Sequence, residues 1–328
     1  MRAVAVFDSL PVDAPDAFRD VEIPEPTPGP HDVVVRVAAA SLNPIDTKMR
    51  MRAGRREEPL VLGYDAVGTV TALGAEASRF AVGDRVFYAG TNNRPGSNAE
   101  LQAVDERIIA HAPATLSDAD AAALPLVSLT AWEALFDRLA VSTLSHGRLL
   151  VLGGAGGVPT QVIQLARALT GLEVVATASR EASRDWVRGL GAHRVVDHSR
   201  DLVEQLGENS VNFVFSSRTD AREAELAQVM KAQSKLVLID DPRDFTIAPF
   251  KSKAIQVGWE SMFARPVHAT ADIAAQGEAL RRVADLVDTG RIRAVTGEVL
   301  HGLDAATVRR GHELMEAARA VGKVALVY

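Results

Sequence analysis

The fold is decided by residues 148–169, which read RLLVLGGAGGVPTQVIQLARAL. The first five residues form a largely apolar run, which is typical of a strand buried on both faces of a parallel sheet. Beyond the glycines, apolar residues recur at helical spacing, so the stretch predicts a strand, a tight turn and a helix. Such a turn lets bare backbone N–H groups approach a pyrophosphate at the positive end of the helix. The stretch therefore indicates a dinucleotide-binding unit.

The glycine-rich turn departs from the G-x-G-x-x-G pattern at one position. Gly154 and Gly156 match the first two glycines, but Pro159 occupies the third place. Proline is tolerated in a first helical turn, although it cannot donate to a phosphate. Taken alone the motif is weak, but its place between an apolar strand and an amphipathic helix favours dinucleotide binding over a purely structural turn. The predicted cofactor contacts in this turn are Gly154, Ala155, Gly156, Gly157 and Val158.

Strand and helix patterns continue to alternate after this unit. The predicted elements are strands at 173–178, 194–196, 211–215, 235–239 and 254–258, with helices near 181–190 and 220–233. Repeated strand–helix–strand units predict an α/β fold with a Rossmann-type doubly wound parallel sheet.

The chain on either side has a different character. Residues 1–125 carry short β patterns separated by turn residues, which predicts a mostly β domain. Residues 117–139 are Ala-rich and mostly helical by spacing. A helical pattern at 272–289 precedes a final apolar strand at 324–328. A tail this short is small for a separate domain. We therefore expect three segments: residues 1–125 as a substrate domain, 126–266 as the dinucleotide-binding domain, and 267–328 returning to complete the first.

Composition excludes several chemistries. The chain has 328 residues, a net charge of −6 and no cysteine, so disulfides, thiolate nucleophiles and Cys-ligated metals are absent. The eight histidines lack ligand spacing, and we predict no metal site. The acidic balance argues against a nucleic-acid partner.

No membrane association is expected either. No uninterrupted apolar run reaches the roughly 18 residues of a membrane span, and Asp8 and Pro11 interrupt any signal-like N-terminus, so the cytoplasm is the expected location. A basic cluster is interpreted as a solvated loop rather than a binding patch; it comprises Lys48, Arg50, Arg52, Arg55 and Arg56, followed by Glu57 and Glu58.

The end of the second strand predicts which cofactor is used. An NAD site usually places an acid there to accept from the ribose 2′-OH, but this chain has Ser179 and Arg180, with no acid until Glu181. Both side chains can donate to a 2′-phosphate, which a guanidinium suits well. We therefore expect NADPH as the cofactor. In the alternative interpretation, Arg180 is an ordinary surface arginine.

Several segments together resemble the medium-chain dehydrogenase/reductase superfamily, specifically its zinc-free quinone-oxidoreductase-like branch. The similarity is collinear over essentially the whole chain, and its segments are Ser41–Asp46, Leu62–Gly68, Val82–Val86, Pro95–Glu100, Gly153–Val158 and Gly322–Val324. Residues 259–263 are more narrowly similar to a subgroup named zinc-type alcohol dehydrogenase-like proteins. The resemblance implies that the first domain is GroES-like.

The resemblance also indicates which reaction the chain can catalyse. Zinc-dependent relatives have Cys where this chain has Asn43 and His where it has Tyr64, and neither replacement suits zinc. Without that Lewis acid, simple alcohol oxidation loses its activating group, whereas reduction of a quinone or an α,β-unsaturated carbonyl remains feasible. The resemblance implies hydride transfer from NADPH in a cleft between the domains.

Three residues are the candidates for the catalytic site. Tyr64 is expected to polarise the acceptor oxygen, with a structural tyrosine as the alternative, and Asn43 is a second possible donor. Asp46 is expected to hold its loop or contact the cofactor rather than exchange protons. The resemblance adds further cofactor contacts at Thr130, His198, Ser216, Ile239, Asp240 and Lys323.

The resemblance also suggests a homodimer formed through residues 254–258. A competing hypothesis is a catalytically weak NADPH-binding sensor or structural protein, because fold does not dictate function and no obligatory proton donor is visible. A zinc alcohol dehydrogenase would need ligands that the sequence does not supply.

Overall fold

The computed structural model describes residues 1–219, 221–317 and 322–328. They form two compact units, Met1–Leu129 with Phe263–Tyr328, and Thr130–Met262. The boundaries predicted at 125/126 and 266/267 lie four residues before and after the observed ones.

The strands, in chain order, are β1 (Arg2–Val6), β2 (Arg19–Glu22), β3 (Asp32–Leu42), β4 (Leu60–Val61), β5 (Ala66–Leu73), β6 (Arg85–Tyr88), β7 (Leu101–Asp105), β8 (Ile109–His111), β9 (Arg148–Leu152), β10 (Glu173–Thr177), β11 (Arg194–Val196), β12 (Val211–Ser216), β13 (Met230–Leu238), β14 (Gln256–Trp259), β15 (Thr296–His301) and β16 (Lys323–Val327). The α-helices are α1 (Pro44–Met51), α2 (Asp118–Ala122), α3 (Pro125–Trp132), α4 (Gly157–Leu169), α5 (Glu181–Gly189), α6 (Leu202–Leu206), α7 (Glu223–Val229), α8 (Ala264–Val267), α9 (Ala275–Asp288) and α10 (Ala305–Glu316). Short 3₁₀ turns occur at Glu106–Ile108 and Ala248–Lys253, and a π-helical segment at Glu133–Arg138 follows α3.

The first unit is a mostly β domain, as predicted. A seven-stranded sheet runs in the order β15-β16-β3-β5-β6-β8, with β7 also pairing with β3, and a second sheet is ordered β2-β1-β4. The last strand pairs antiparallel with β3, from Val324 opposite Leu42 to Val327 opposite Ala39. The C-terminal segment therefore completes the first domain.

The second unit contains the predicted doubly wound sheet. Its six strands run in the order β11-β10-β9-β12-β13-β14, and all of their pairings are parallel. The strand numbers fall from β11 to β9 and then rise from β12 to β14, so the direction of strand order reverses between β9 and β12. In such sheets ligands bind at the carboxyl ends of the strands beside this reversal. Buried aliphatic residues on the central strands, including Leu150, Val175 and Val214, form the core beneath that edge.

Two predicted helices are interrupted in the structure. The helix expected near 220–233 is limited to α7, and β13 begins at Met230 because Met230 pairs with Val211 in the sheet. The helical pattern at 117–139 divides into α2, α3 and the π segment. Pro125 accounts for the first break, since a proline disfavours helical backbone in the residue before it.

One helical stretch, Asp118–Arg138, has the length and hydropathy of a possible membrane span, with 21 residues. Since 78% of its most apolar window is buried inside the structure, as in the core helix of a folded domain, the match is weak evidence for a membrane span.

Arg50 differs from the rest of the predicted solvated basic cluster. Its side chain is fully buried, where its guanidinium donates to Leu10 O, pairs with Glu316 and lies over the Phe18 ring. It lies on the face of α1 that packs against α10, a contact that the local charge pattern cannot reveal.

Candidate functional site

The glycine-rich turn leaves the start of α4 without a side-chain cap. β9 ends at Leu152 and α4, thirteen residues long, begins at Gly157. Its N-cap, Gly156, has extended backbone (φ −72°, ψ 162°) and no side chain that could accept from the first-turn N–H groups. These donors lie at the positive end of the helix dipole, where an anion is stabilised.

Close backbone packing explains why glycines form this turn. Gly153 has φ +74°, in the left-handed region that favours glycine. A Cβ on Gly154 would lie 3.0 Å from Thr177 O, and the Gly154 N–H already donates to that oxygen at 3.0 Å. The Thr177 hydroxyl accepts from Gly153 N–H at 3.0 Å. Thr177, which the sequence analysis did not single out, therefore anchors the turn to β10.

Pro159 is compatible with this arrangement. It is the third residue of α4 and is buried. The first N–H groups of a helix have no partner within the helix, so the missing proline N–H removes no helical hydrogen bond. Ala155, Gly157 and Val158 retain their N–H groups, and the turn fits the pyrophosphate of a dinucleotide.

Cationic and hydroxyl groups follow β10 where an NAD site would place an acid. Ser179 and Arg180 are both exposed, and Arg180 is the residue that precedes α5. A nearby acid, Asp197, is already occupied: it accepts from the Ser199 hydroxyl at 2.7 Å and from Arg184 at 3.0 Å. The hydrogen bonds from Ser199 are the main cause that holds the pKa of Asp197 below its usual value.

Several predicted cofactor residues lie at the carboxyl edge of the same sheet. Ser216, at the end of β12, lies with its Oγ 2.7 Å from Thr219 Oγ1. Thr219 in turn donates its N–H and hydroxyl to Asp240, which follows β13, at 2.5 and 2.8 Å. The structure thus brings Ser216 and Asp240 together through Thr219, a residue that sequence analysis missed.

The remaining predicted contacts in this unit lie on three other segments. Ile239 precedes Asp240 and is half-buried. His198 follows β11 and is half-buried; burial, then the charges of Arg218 and Arg222, lower its pKa. Thr130 is buried in α3.

A buried polar network occupies the predicted catalytic region of the first unit. Lys323 is 3% exposed, and its Nζ donates to Leu42 O at 2.7 Å, to Asp65 Oδ2 at 3.0 Å and to Asn43 Oδ1. The Asn43 amide donates to Asp65 Oδ2 at 2.7 Å, and the Leu126 N–H donates to Asp65 Oδ1 at 2.7 Å. An ammonium has three donors, and all three contact protein oxygens.

The network changes how two predicted residues are interpreted. The amide oxygen and nitrogen of Asn43 are both engaged with protein groups, and the Lys323 ammonium faces Asp65 rather than an open surface. Asp65 is the residue that joins them. In the sequence, Asp65 directly follows Tyr64 in an otherwise apolar segment, and this isolated acid was the signal that could have indicated a buried ion pair.

Asp46 holds two loops together. Its carboxylate is fully buried and accepts from Asn43 N–H at 2.8 Å and from Gly63 N–H at 3.0 Å. Burial is the main cause that raises its pKa to about 7. The start of α1 is thereby tied to the segment that carries Tyr64.

Tyr64 presents a neutral phenol. It is 2% exposed, and its ring packs edge-on against Phe263, with centroids 5.5 Å apart. Burial, followed by the charge of Asp46, raises the pKa of Tyr64. The hydroxyl therefore keeps its proton at physiological pH and is available as a hydrogen-bond donor.

The residues at the former metal positions do not fit zinc. The sequence has no cysteine, Asn43 is bonded through its amide, and Tyr64 is a protonated phenol. Among the described residues, no three His, Asp or Glu side chains cluster closely enough to hold a metal ion. Zinc prefers thiolate, imidazole and carboxylate ligands, which this arrangement does not supply.

Comparisons with known proteins agree with both units. Residues 29–114 match the alcohol dehydrogenase GroES-like domain, and residues 190–326 match the zinc-binding dehydrogenase family. A zinc-type alcohol dehydrogenase-like protein of Staphylococcus epidermidis is 34% identical, with 99% of each chain covered. A mitochondrial NAD(P)H oxidoreductase of Danio rerio is 33% identical over 90% of this chain and 83% of its own. A crystal structure of a Rhizobium etli protein, named for zinc-dependent alcohol dehydrogenases, has 43% identity and a TM-score of 0.96, covering 100% of this chain and 98% of that one.

We predict that Lys323→Met destabilises the protein by about 3–5 kcal/mol, because it leaves the Asp65 carboxylate buried without its cation. Urea unfolding followed by circular dichroism measures the change. The exposed Lys231→Met serves as the control and is expected to stay within about 0.5 kcal/mol of the wild type. Adding Asp65→Asn should restore part of the loss; a single variant as stable as the wild type would show that the network is dispensable.

Proposed function

Because the chain belongs to the medium-chain dehydrogenase/reductase superfamily of oxidoreductases, we propose that it is an NADPH-dependent reductase that transfers hydride to a quinone or an α,β-unsaturated carbonyl without zinc. The observation that carries the proposal is the donor set around Tyr64, in which a neutral phenol and a fully bonded amide occupy the positions of metal ligands. An acceptor that is already electron-poor needs polarisation by a hydrogen bond but does not need a Lewis acid.

The second unit supplies the cofactor site. The uncapped N–H groups at the start of α4 bind the pyrophosphate, and Ser179 and Arg180 donate to the 2′-phosphate. NADPH, when bound, supplies the hydride. We keep Thr130, His198, Ser216, Ile239 and Asp240 as proposed contacts along the dinucleotide.

The first unit supplies the group that acts on the acceptor. Tyr64 donates its hydroxyl to the carbonyl or quinone oxygen, where negative charge grows as hydride arrives. A fixed donor in a buried setting stabilises that charge more than water does. Asp46 and Lys323, with Asn43, hold the segments on either side of Tyr64, and a proton from solvent completes the reduction.

The names of the relatives support the proposal in one respect and differ from it in another. The Danio rerio protein is named an NAD(P)H oxidoreductase, which agrees with a nicotinamide cofactor. The bacterial relatives carry zinc in their names, whereas the donor set here does not suit that metal. We therefore propose the zinc-free reaction.

The proposal is tested by following oxidation of NADPH and NADH, with and without EDTA, against a panel of quinones and enones. We expect turnover that prefers NADPH and is unaffected by EDTA. Loss of activity in EDTA, restored by zinc, would contradict the zinc-free mechanism. Absence of turnover despite NADPH binding in a fluorescence titration would favour a sensor.

We also propose that the protein acts in the cytoplasm as a homodimer, without a nucleic-acid or membrane partner. In the second unit β14 pairs with β13 on one side and ends the sheet on the other, with Trp259 52% exposed. An exposed edge strand of this kind is suited to pairing with a second copy. Size-exclusion chromatography with light scattering should give twice the 35.0 kDa chain mass; a monomer at micromolar concentration would contradict the dimer.

We predict that Arg180→Ala weakens NADPH binding by about tenfold or more and NADH binding by less than about twofold, because only NADPH carries the 2′-phosphate. Isothermal titration of both cofactors measures the difference. Arg188→Ala is the matched control, because Arg188 is an exposed arginine of α5, the helix that follows Arg180, and pairs with Asp185. Equal losses for the two cofactors would show that Arg180 does not contact the 2′-phosphate.

We predict that Tyr64→Phe lowers kcat by about tenfold or more, since it removes a donor to developing charge, and leaves the Kd for NADPH unchanged. Tyr88→Phe is the matched control, because the buried Tyr88 hydroxyl has no hydrogen-bond partner among the described residues. Steady-state kinetics of both variants should separate them; unchanged turnover in Tyr64→Phe would assign Tyr64 a structural role.

A further inference from the structure

We propose that Arg218 is a second specificity-determining residue, which binds the 2′-phosphate of NADPH together with Arg180. The inference deepens the proposed function and rests on it. Sequence patterns gave no reason to select Arg218, because it lies outside the glycine-rich turn and outside the segment after β10. Its assignment comes from its position, its charge environment and its lack of a partner.

Arg218 lies beside the cofactor turn. It follows β12 at the carboxyl edge of the sheet, two residues after Ser216. Its neighbour Ser217 donates its hydroxyl to Leu152 O, at the end of β9, at 3.0 Å. A Cβ on Gly153 would lie 2.5 Å from Ser217 Oγ. The segment that carries Arg218 therefore packs directly against the first glycine of the turn.

A second set of contacts brings Arg218 near the loop after β11. Arg222 donates to the His198 carbonyl oxygen and pairs with Glu225 at 2.7 Å, which ties this loop to the segment after β12. After burial, the charge of Arg218 is the largest cause that lowers the pKa of His198, so its guanidinium lies within electrostatic reach of that loop. Loops at the carboxyl ends of neighbouring strands are where a dinucleotide binds in such sheets.

Most other ionic groups at this edge are already paired. Arg184 is bonded to Asp197 at 3.0 Å, and Arg222 is paired with Glu225. The carboxylate of Asp240 is occupied by the N–H and hydroxyl of Thr219. The two arginines are thus balanced by carboxylates, and the Asp240 carboxylate is held by Thr219 and does not pair with either of them.

Arg180 and Arg218 differ from these partnered groups. Both are exposed, and neither side chain forms an ion pair or hydrogen bond with any residue in the described ranges 1–219, 221–317 and 322–328. Two guanidinium groups without an ion-pair partner lie at the edge proposed to bind the dinucleotide. A ligand group with two negative charges would balance both of them. A phosphomonoester carries nearly that charge at neutral pH and accepts several charge-assisted hydrogen bonds.

The proposal is tested with Arg218→Gln, which keeps a polar side chain with an N–H donor and removes its charge. The Kd values of NADPH, NADH, adenosine 2′,5′-bisphosphate and ADP are measured by isothermal titration at one fixed ionic strength, because phosphate affinity depends on salt. We expect about tenfold weaker binding of the two ligands that carry a 2′-phosphate, and a change below about twofold for NADH and ADP. Arg188→Gln is the control and should leave all four values unchanged.

Two further measurements make the outcomes distinct. Arg218→Lys should recover part of the affinity for adenosine 2′,5′-bisphosphate, and Arg180→Gln/Arg218→Gln should bind NADPH no better than NADH. Equal weakening of NADPH and NADH, or no weakening of either, would overturn the role of Arg218 while leaving the reductase in place. A wild-type protein that binds neither dinucleotide would instead overturn the proposed function, and the inference with it.

Discussion

The ion pair between Lys323 and Asp65 is the contact on which the site in the first unit depends. Both side chains are buried, and removing two charges from water costs several kcal/mol per ion unless attraction and hydrogen bonds offset it. The bonds to Leu42 O, Asn43 and Leu126 N–H supply that compensation. Because Lys323 begins β16, the pairing of the C-terminal strand with β3 places its ammonium beside Asn43 and Asp65.

This dependence gives Asn43 and Asp46 a structural role. In a zinc enzyme the ligands are held by the metal; here Asn43 bridges Lys323 and Asp65, and Asp46 joins the start of α1 to Gly63. A network in which the central donors are satisfied fixes side-chain orientation as a metal would, without supplying a Lewis acid. Tyr64 lies between Gly63 and Asp65, which this network holds, and its burial keeps the phenol protonated.

Local sequence patterns predicted the parts of the molecule that local physics determines. The strand, turn and helix at 148–169 and the parallel sheet follow from periodicity and glycine placement, and the return of the C-terminal strand follows from the small size of the tail. Asp65 and Arg50 were missed or misjudged because their partners, Lys323 and Glu316, lie more than 250 residues away in sequence. Thr177 and Thr219 were missed because each acts through backbone groups of another loop, and such contacts leave no periodic signal.

Charge pairing at the carboxyl edge of the second unit shows why composition alone could not indicate the cofactor. The chain is acidic overall, with a net charge of −6, yet a phosphate responds to local potential rather than to net charge. Asp197 pairs with Arg184 and also accepts from the Ser199 hydroxyl, Arg222 pairs with Glu225, and Asp240 accepts from Thr219. The free charge that remains at this edge includes the guanidinium groups of Arg180 and Arg218, which favours a cofactor bearing an additional phosphate.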